Sequence, residues 1–355
     1  MTYKWIDKLA DLPQAMVAAD YWYMDTEFMR ERTFWAELAL VQVAVGDELV
    51  LLDAPRLADP AELGRLLAPK TWVLHACSED LDVLTHTTGV APTRIEDTQL
   101  AAALVGHPLQ LGYQKLVDIV CGITLPKDAT RSNWLQRPLS AQQLDYAADD
   151  VRYLAQLREA LVQQLTQLGR LDWWQEECAR LLQQVLAVTP AADCWRQVKG
   201  VGNLQGRELA RLQALAAWRD GEARARNLPR SFVLKDAELL QLSQRAPASQ
   251  AQLASLELAP GLIRRQGDKL LELLRAAMDA PVPAPLPEPL DGAQKKTAKQ
   301  LKQLAEQVAK ELGLEVEVLL RRRWLEALVR EPEVLPEPLT GWRKSVLTER
   351  LLAKL

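Results

Sequence analysis

Strand signals crowd the first half of this chain and nearly vanish after about residue 170. That asymmetry excludes a uniform repeat and an all-helical or all-β architecture. Residues 21–24, 38–45, 48–52 and 72–75 are short, apolar and rich in β-formers, and Gly46-Asp47 supplies a hairpin turn between the second and third of them. Helical periodicity alternates with these runs. Ser78 is placed to cap a helix that carries Glu79 and Asp80 in its first turn, Asp97 or Thr98 to cap one through 104, and Ser140 to cap a long one over 141–167. The reading is an α/β layer domain with a mixed sheet over residues 1–170 and a helical connector over 171–202. Helical blocks at 203–279 and 293–355 flank a proline-alternating spacer at 280–292, semi-rigid by composition.

Into this frame the acids fall at particular places. Asp25-Thr26-Glu27 ends the first apolar strand, so its two carboxylates project from one face. Asp80 opens a helix behind a neighbouring strand, and Tyr146 and Asp150, four residues apart, share one side of the long helix. Asp82 lies two residues beyond Asp80 and faces elsewhere, and Asp149 lies off the Tyr146 side and reads as a solvated acid. Four converging carboxylates raise one another's pKa and persist as anions only when cations occupy them. With three histidines and no Cys-x-x-Cys among four cysteines, those cations are hard ones, Mg²⁺ or Mn²⁺. A pair of them ~4 Å apart supports in-line displacement at phosphorus. Tyr146, a poor base at its ordinary pKa, is suited to orienting a water or accepting its proton.

Charge is unevenly spread behind a net of −4. Residues 1–165 hold 14 basic and 23 acidic side chains, the remainder 29 and 24. Eight bases between 196 and 230, Arg224 and Arg226 among them, are either phosphate contacts or a solvated helix surface. Lys127 and Arg131 before the long helix are open to the same two readings. Phe28 reads first as core, with a wedge against a terminal base as its functional alternative. His75 reads as a structural histidine at a strand end. The scattered cysteines read as reduced thiols of a cytoplasmic protein, and no run of residues suits a signal peptide or a membrane span.

Asp25-Thr26-Glu27-Phe28, Ser78-Glu79-Asp80 and Tyr146-x-x-x-Asp150 resemble the three motifs of the DEDD exonucleases, tyrosine subclass. The flanking runs 30–34 (RERTF), 134–139 (WLQRPL) and 146–154 (YAADDVRYL) are similar to the ribonuclease D family, whose tandem HRDC domains the two helical blocks resemble. The resemblance implies a ribonuclease H-like fold and two divalent ions held by Asp25, Glu27, Asp80 and Asp150, with Tyr146 positioning the nucleophile. It also implies release of nucleoside 5′-monophosphates from single-stranded 3′ ends, tRNA precursors among them, by a monomer. Asn133 stands where the family commonly has an acid, which bears on the loop and not on the metal acids. A DNA exonuclease uses the same acids, and a non-catalytic RNA scaffold need keep none of them. On this reading, truncation near residue 200 leaves the chemistry and weakens RNA binding.

Overall fold

The computed structural model describes residues 2–126 and 132–355, so Lys127 and Arg131 lie outside the described residues. Two compact units make up the chain. The first comprises Met1–Met29, Glu37–Ala187 and Leu290–Leu355, and the second Arg30–Ala36 and Val188–Pro289.

The first unit is built on a mixed six-stranded sheet. Its strands are β1 (Tyr3–Ile6), β2 (Tyr21–Met29), β3 (Glu37–Val45), β4 (Glu48–Asp53), β5 (Thr71–Leu74) and β6 (Arg94–Asp97), in spatial order β1-β4-β3-β2-β5-β6. β3 lies antiparallel to both β2 and β4, and the remaining pairs are parallel. β1 and β6 escape a pattern reading because each is four residues long, carries charge and forms an edge of the sheet. β2 runs five residues past the expected end of the strand, so the Asp25 motif rides inside it. Pairing with β5 stops at Tyr23, and the ladder with β3 continues through Asp25 and Glu27 and holds two acids that strand propensity alone would reject.

Helices flank the sheet: α1 (Ser78–Thr88), α2 (Thr98–Leu104), α3 (Tyr113–Cys121), α4 (Ala141–Arg152), α5 (Leu154–Gln167) and α6 (Leu171–Leu186). Ser140 starts α4 with a full capping box, and Asp97 caps α2 through the N–H groups of Gln99 and Leu100. Ser78 is not the cap of α1. Cys77 holds that position without a side-chain bond, and Ser78 lies in the first turn. The single helix expected over 141–167 is two. The Tyr113 hydroxyl donates to the Asp149 carbonyl and accepts the Tyr153 N–H, taking the place of the helical bond between them. Ala147, Ala148 and Val151 of α4 pack on Leu40, Ala44, Leu49 and Leu51, which seats α4 across one face of the sheet.

The C-terminal segment belongs to this same unit, contrary to the expectation of a separate module behind a spacer. Arg343 is 2 % exposed; its Nη1 lies 2.5 Å from the Glu177 carboxylate of α6, and its guanidinium donates twice to the Val318 carbonyl. Trp342 stacks on Trp173 at 4.4 Å, and its indole N–H donates to Glu177. Gly341, at φ +60°, passes so close to Glu176 that a Cβ would sit 1.8 Å from the carboxylate oxygen. α6 therefore packs against the C-terminal segment. Its Arg180 binds Glu176, Glu177 and, across to the C-terminal segment, Glu337. Truncation near residue 200 removes part of the first unit's own packing.

The second unit is helical, with Trp195, Leu212, Leu215, Leu239, Leu242, Leu253 and Leu270 in its core. Residues 280–289 end it without helix or strand. Residues 30–36 are part of it. Phe34 and Trp35 lie under the Arg224 guanidinium at 4.8 and 5.3 Å, and both their N–H groups donate to Asn227. Arg224 and Arg230 both clamp buried Asp220. The first role of Arg224 is thus to hold this unit together, whereas Arg226 is half-exposed, with only a 3.8 Å approach to Glu222.

Candidate metal centre

β2 and α4 bring the acids together. Carboxylate oxygens of Asp25, Glu27 and Asp150 all lie within 4.8 Å of one another. The strand provides two of them because side chains alternate along it, leaving Thr26 on the buried opposite face. That inversion gives Thr26 its own task, because its hydroxyl donates to Asp80 Oδ1 at 2.5 Å. Asp80 is 7 % exposed at the start of α1 and stands outside the 4.8 Å set, yet its charge acts on Asp25. Asp82 is half-buried on another side of α1.

Electrostatics identify the cluster as one that ordinary solvation does not satisfy. Burial and the charges of Asp80, Asp150 and Glu27 push Asp25 well above the carboxylate range. Burial, then Asp150 and Asp80, raise Glu27 to about 9. Burial raises Asp150 to about 7 against the opposing hydrogen bond from Tyr146, and raises Asp80 to about 6 against that from Thr26. The same surroundings, burial first and then Asp150, Glu27 and Asp25, raise Tyr146. In the cation-free protein this shift favours the protonated phenol. The donor set is all hard oxygen, and it fits divalent cations of the Mg²⁺ and Mn²⁺ type.

This has a stability consequence with a definite sign. Raised folded-state pKa values mean that the cation-free protein binds more protons than its unfolded chain between pH ~4 and the raised values. The stability these groups contribute is full below ~4 and is lost as pH climbs through about 6, 7 and 9. In chelator, the unfolding temperature is expected to drop from about pH 6 to about pH 8.5, and saturating Mg²⁺ to restore more at the higher pH. Calorimetric scans at both pH values check it, and a Mg²⁺ effect equal at both would contradict it.

The supporting residues are more numerous than the sequence disclosed. Asp97, 1 % exposed, accepts N–H bonds from Ala76, Cys77, Gln99 and Leu100, and so anchors the turn from which α1 presents Asp80. Ala76 in that turn has φ +59°. The visible signal was the cap position alone. His75 contacts the Thr98 hydroxyl and donates to the Leu111 carbonyl, and burial lowers its pKa, so it is structural as expected. Asp149 is not a free solvated acid, since Arg152 lies 2.8 Å from its carboxylate. Phe28 follows a register shift after Glu27 and is half-buried, not core. Asn133 is exposed and accepts the Leu135 N–H. All four cysteine thiols are free, and among the described residues no helix is long and apolar enough to cross a membrane.

Comparison with known proteins agrees with this geometry. Residues 3–166 match a family model described as 3′-5′ exonuclease, and residues 208–274 match the HRDC domain. Ribonuclease D of Pseudomonas paraeruginosa is 41% identical over 346 residues, covering 94% of this chain and 92% of that one. Ribonuclease D of Escherichia coli is 34% identical over 357 residues, 97% and 95% of the two chains. The solved structure of the Escherichia coli protein, described as an exoribonuclease involved in structured RNA processing, superposes with a TM-score of 0.92 over 100% of this chain and 99% of that one. With its acid cluster carried on the matching domain, the chain belongs to the ribonuclease D family of divalent-metal-dependent 3′→5′ exoribonucleases.

Proposed function

We propose that Asp25, Glu27, Asp80 and Asp150 hold two divalent cations, Mg²⁺ or Mn²⁺, and that Tyr146 positions the attacking water at the terminal phosphodiester. The observation that carries this is the meeting of Asp25, Glu27 and Asp150 oxygens within 4.8 Å. Bound there, such cations supply charge neutralisation and Lewis acidity for in-line displacement at phosphorus. The chain's own contribution is to hold the rest still. Thr26 fixes Asp80, and Tyr146 lines the same cavity as Asp150, one helical turn away on α4. A cavity of about 310 Å³ opens beside Tyr146 and Asp150, with Gln114 and Gln142 on its wall, and is of a size to receive the terminal nucleoside.

The products are then nucleoside 5′-monophosphates from RNA with a single-stranded 3′ end. The Escherichia coli relative's part in structured RNA processing supports tRNA precursors as substrates of this monomer, and the free thiols support a cytoplasmic setting. Phe28 and Arg226 are proposed substrate contacts, with Arg224 contributing through the packing it maintains. Phenylalanine at 146 is expected to lower kcat by about 10²-fold with KM unchanged. Single-turnover and steady-state rates on one RNA check it, and an unaltered kcat refutes the positioning role. The whole reading is tested with 5′-labelled single-stranded RNA and DNA in Mg²⁺, Mn²⁺ and chelator. A descending ladder on RNA, abolished by chelator, is expected; a ladder on DNA alone would make this a DNA exonuclease.

A further inference from the structure

Gln42 lies in the middle of β3, fully buried, and neither the nitrogen nor the oxygen of its amide has a hydrogen-bond partner among the described residues. Two orphaned polar atoms in one buried side chain are uncommon and unfavourable, and a leucine or methionine would fill the space without them. The register says what they face. Gln42 pairs directly with Asp25 across the antiparallel β2–β3 ladder, so the two side chains rise from the same face of the sheet. Directly opposed Cβ atoms in such a ladder are ~4.5–5.5 Å apart. On the other side Gln42 pairs with Leu51, and along its own strand Leu40 and Ala44 share its face. Of the two residues paired directly with it Asp25 is the polar one, with Tyr23, Glu27 and Asp53 on the same face at the more distant diagonal positions.

We infer that Gln42 is a positioning residue for Asp25, its amide N–H donating to the carboxylate oxygen turned away from the cation. This rests on the reading of Asp25 as a metal ligand. A ligating carboxylate has lone pairs left over, and a donor placed on them fixes its orientation and tunes its hold on the ion. The terminal torsion of a glutamine is broad, so the amide turns toward its neighbour without leaving its rotamer. The amide is retained in an apolar setting because the job is electrostatic and directional.

The test uses the full chain and Gln42→Met, with Mn²⁺ titrated into chelator-treated protein while thermal unfolding is followed. Without cation the variant is expected to unfold at a higher temperature than wild type, having lost two partnerless buried atoms. It is expected to need ~10-fold more Mn²⁺ to reach half of its cation-induced shift, with kcat lowered and KM for RNA unchanged. In an Asp25→Asn background, Gln42→Met should move the Mn²⁺ midpoint no further. Equal midpoints for wild type and variant, in a wild type that responds to Mn²⁺, overturn the role of Gln42 and leave the acid cluster standing. A wild type without any Mn²⁺ response overturns both. Gln42→Leu is the second apolar variant, and lower cation-free stability in both would mean that the amide serves some other group, which also overturns it.

Discussion

Asp25→Asn is expected to lower RNA hydrolysis by on the order of 10³-fold while the fold and RNA affinity stay near wild type. Asp25 is where the cluster's repulsion converges, since Asp80, Asp150 and Glu27 all act on it. Asparagine keeps the shape of the side chain and loses the charge that a cation would balance. The same change has a second, opposite effect. Removing one of several crowded carboxylates relieves repulsion in the cation-free protein, so the variant should unfold at a higher temperature than wild type in chelator and gain less from Mg²⁺. Turnover, RNA binding and thermal scans on one preparation check all three. A folded, pure Asp25→Asn enzyme with wild-type turnover would discredit the metal centre.

The largest effect on stability is expected far from the acids, at Arg343. Burial by itself would raise Glu177, but the Arg343 hydrogen bond and charge, with Trp342 and Arg180 behind them, outweigh it and hold the carboxyl below its usual range. The Arg343 guanidinium also lies 4.3 Å from the Trp342 ring and 5.1 Å from Trp324. Alanine at 343 leaves Glu177 buried without its main partner and opens the space between two indoles. A buried pair broken in this way costs about 3–5 kcal/mol. Denaturant unfolding followed by tryptophan fluorescence should report it, because the stacked Trp173 and Trp342 rings part with the segment. Joint replacement of Glu177 and Arg343 by apolar residues should recover a large part, as no lone charge is then left inside. An Arg343→Ala protein as stable as wild type would mean that the C-terminal segment is held by other contacts.

The acids were legible because their geometry is local. Two residues apart on a strand and four apart on a helix are fixed by the backbone repeat, and so Asp25, Glu27, Tyr146 and Asp150 could be placed from sequence. The α/β character and the hairpin at Gly46-Asp47 were legible for the same reason. What stayed hidden depends on partners far along the chain. Thr26 meets Asp80 across 54 positions, and Tyr113 enters the helix bond between Asp149 and Tyr153. Gln42 looked like one polar residue in an apolar strand until the ladder set it opposite Asp25. Hydrophobic periodicity tells that a helix has an apolar side and not what covers it, so the grouping of Leu290–Leu355 with the first unit was not legible.

The return of Leu290–Leu355 to the catalytic unit also orders events during synthesis. A ribosome making this protein delivers Asp25, Glu27, Asp80 and Asp150 well before Arg343. Until that arginine emerges, Glu177 has only Arg180 of its own helix as a counter-ion and α6 lacks the cover of the C-terminal segment, so a half-made polypeptide carries an unfinished first unit.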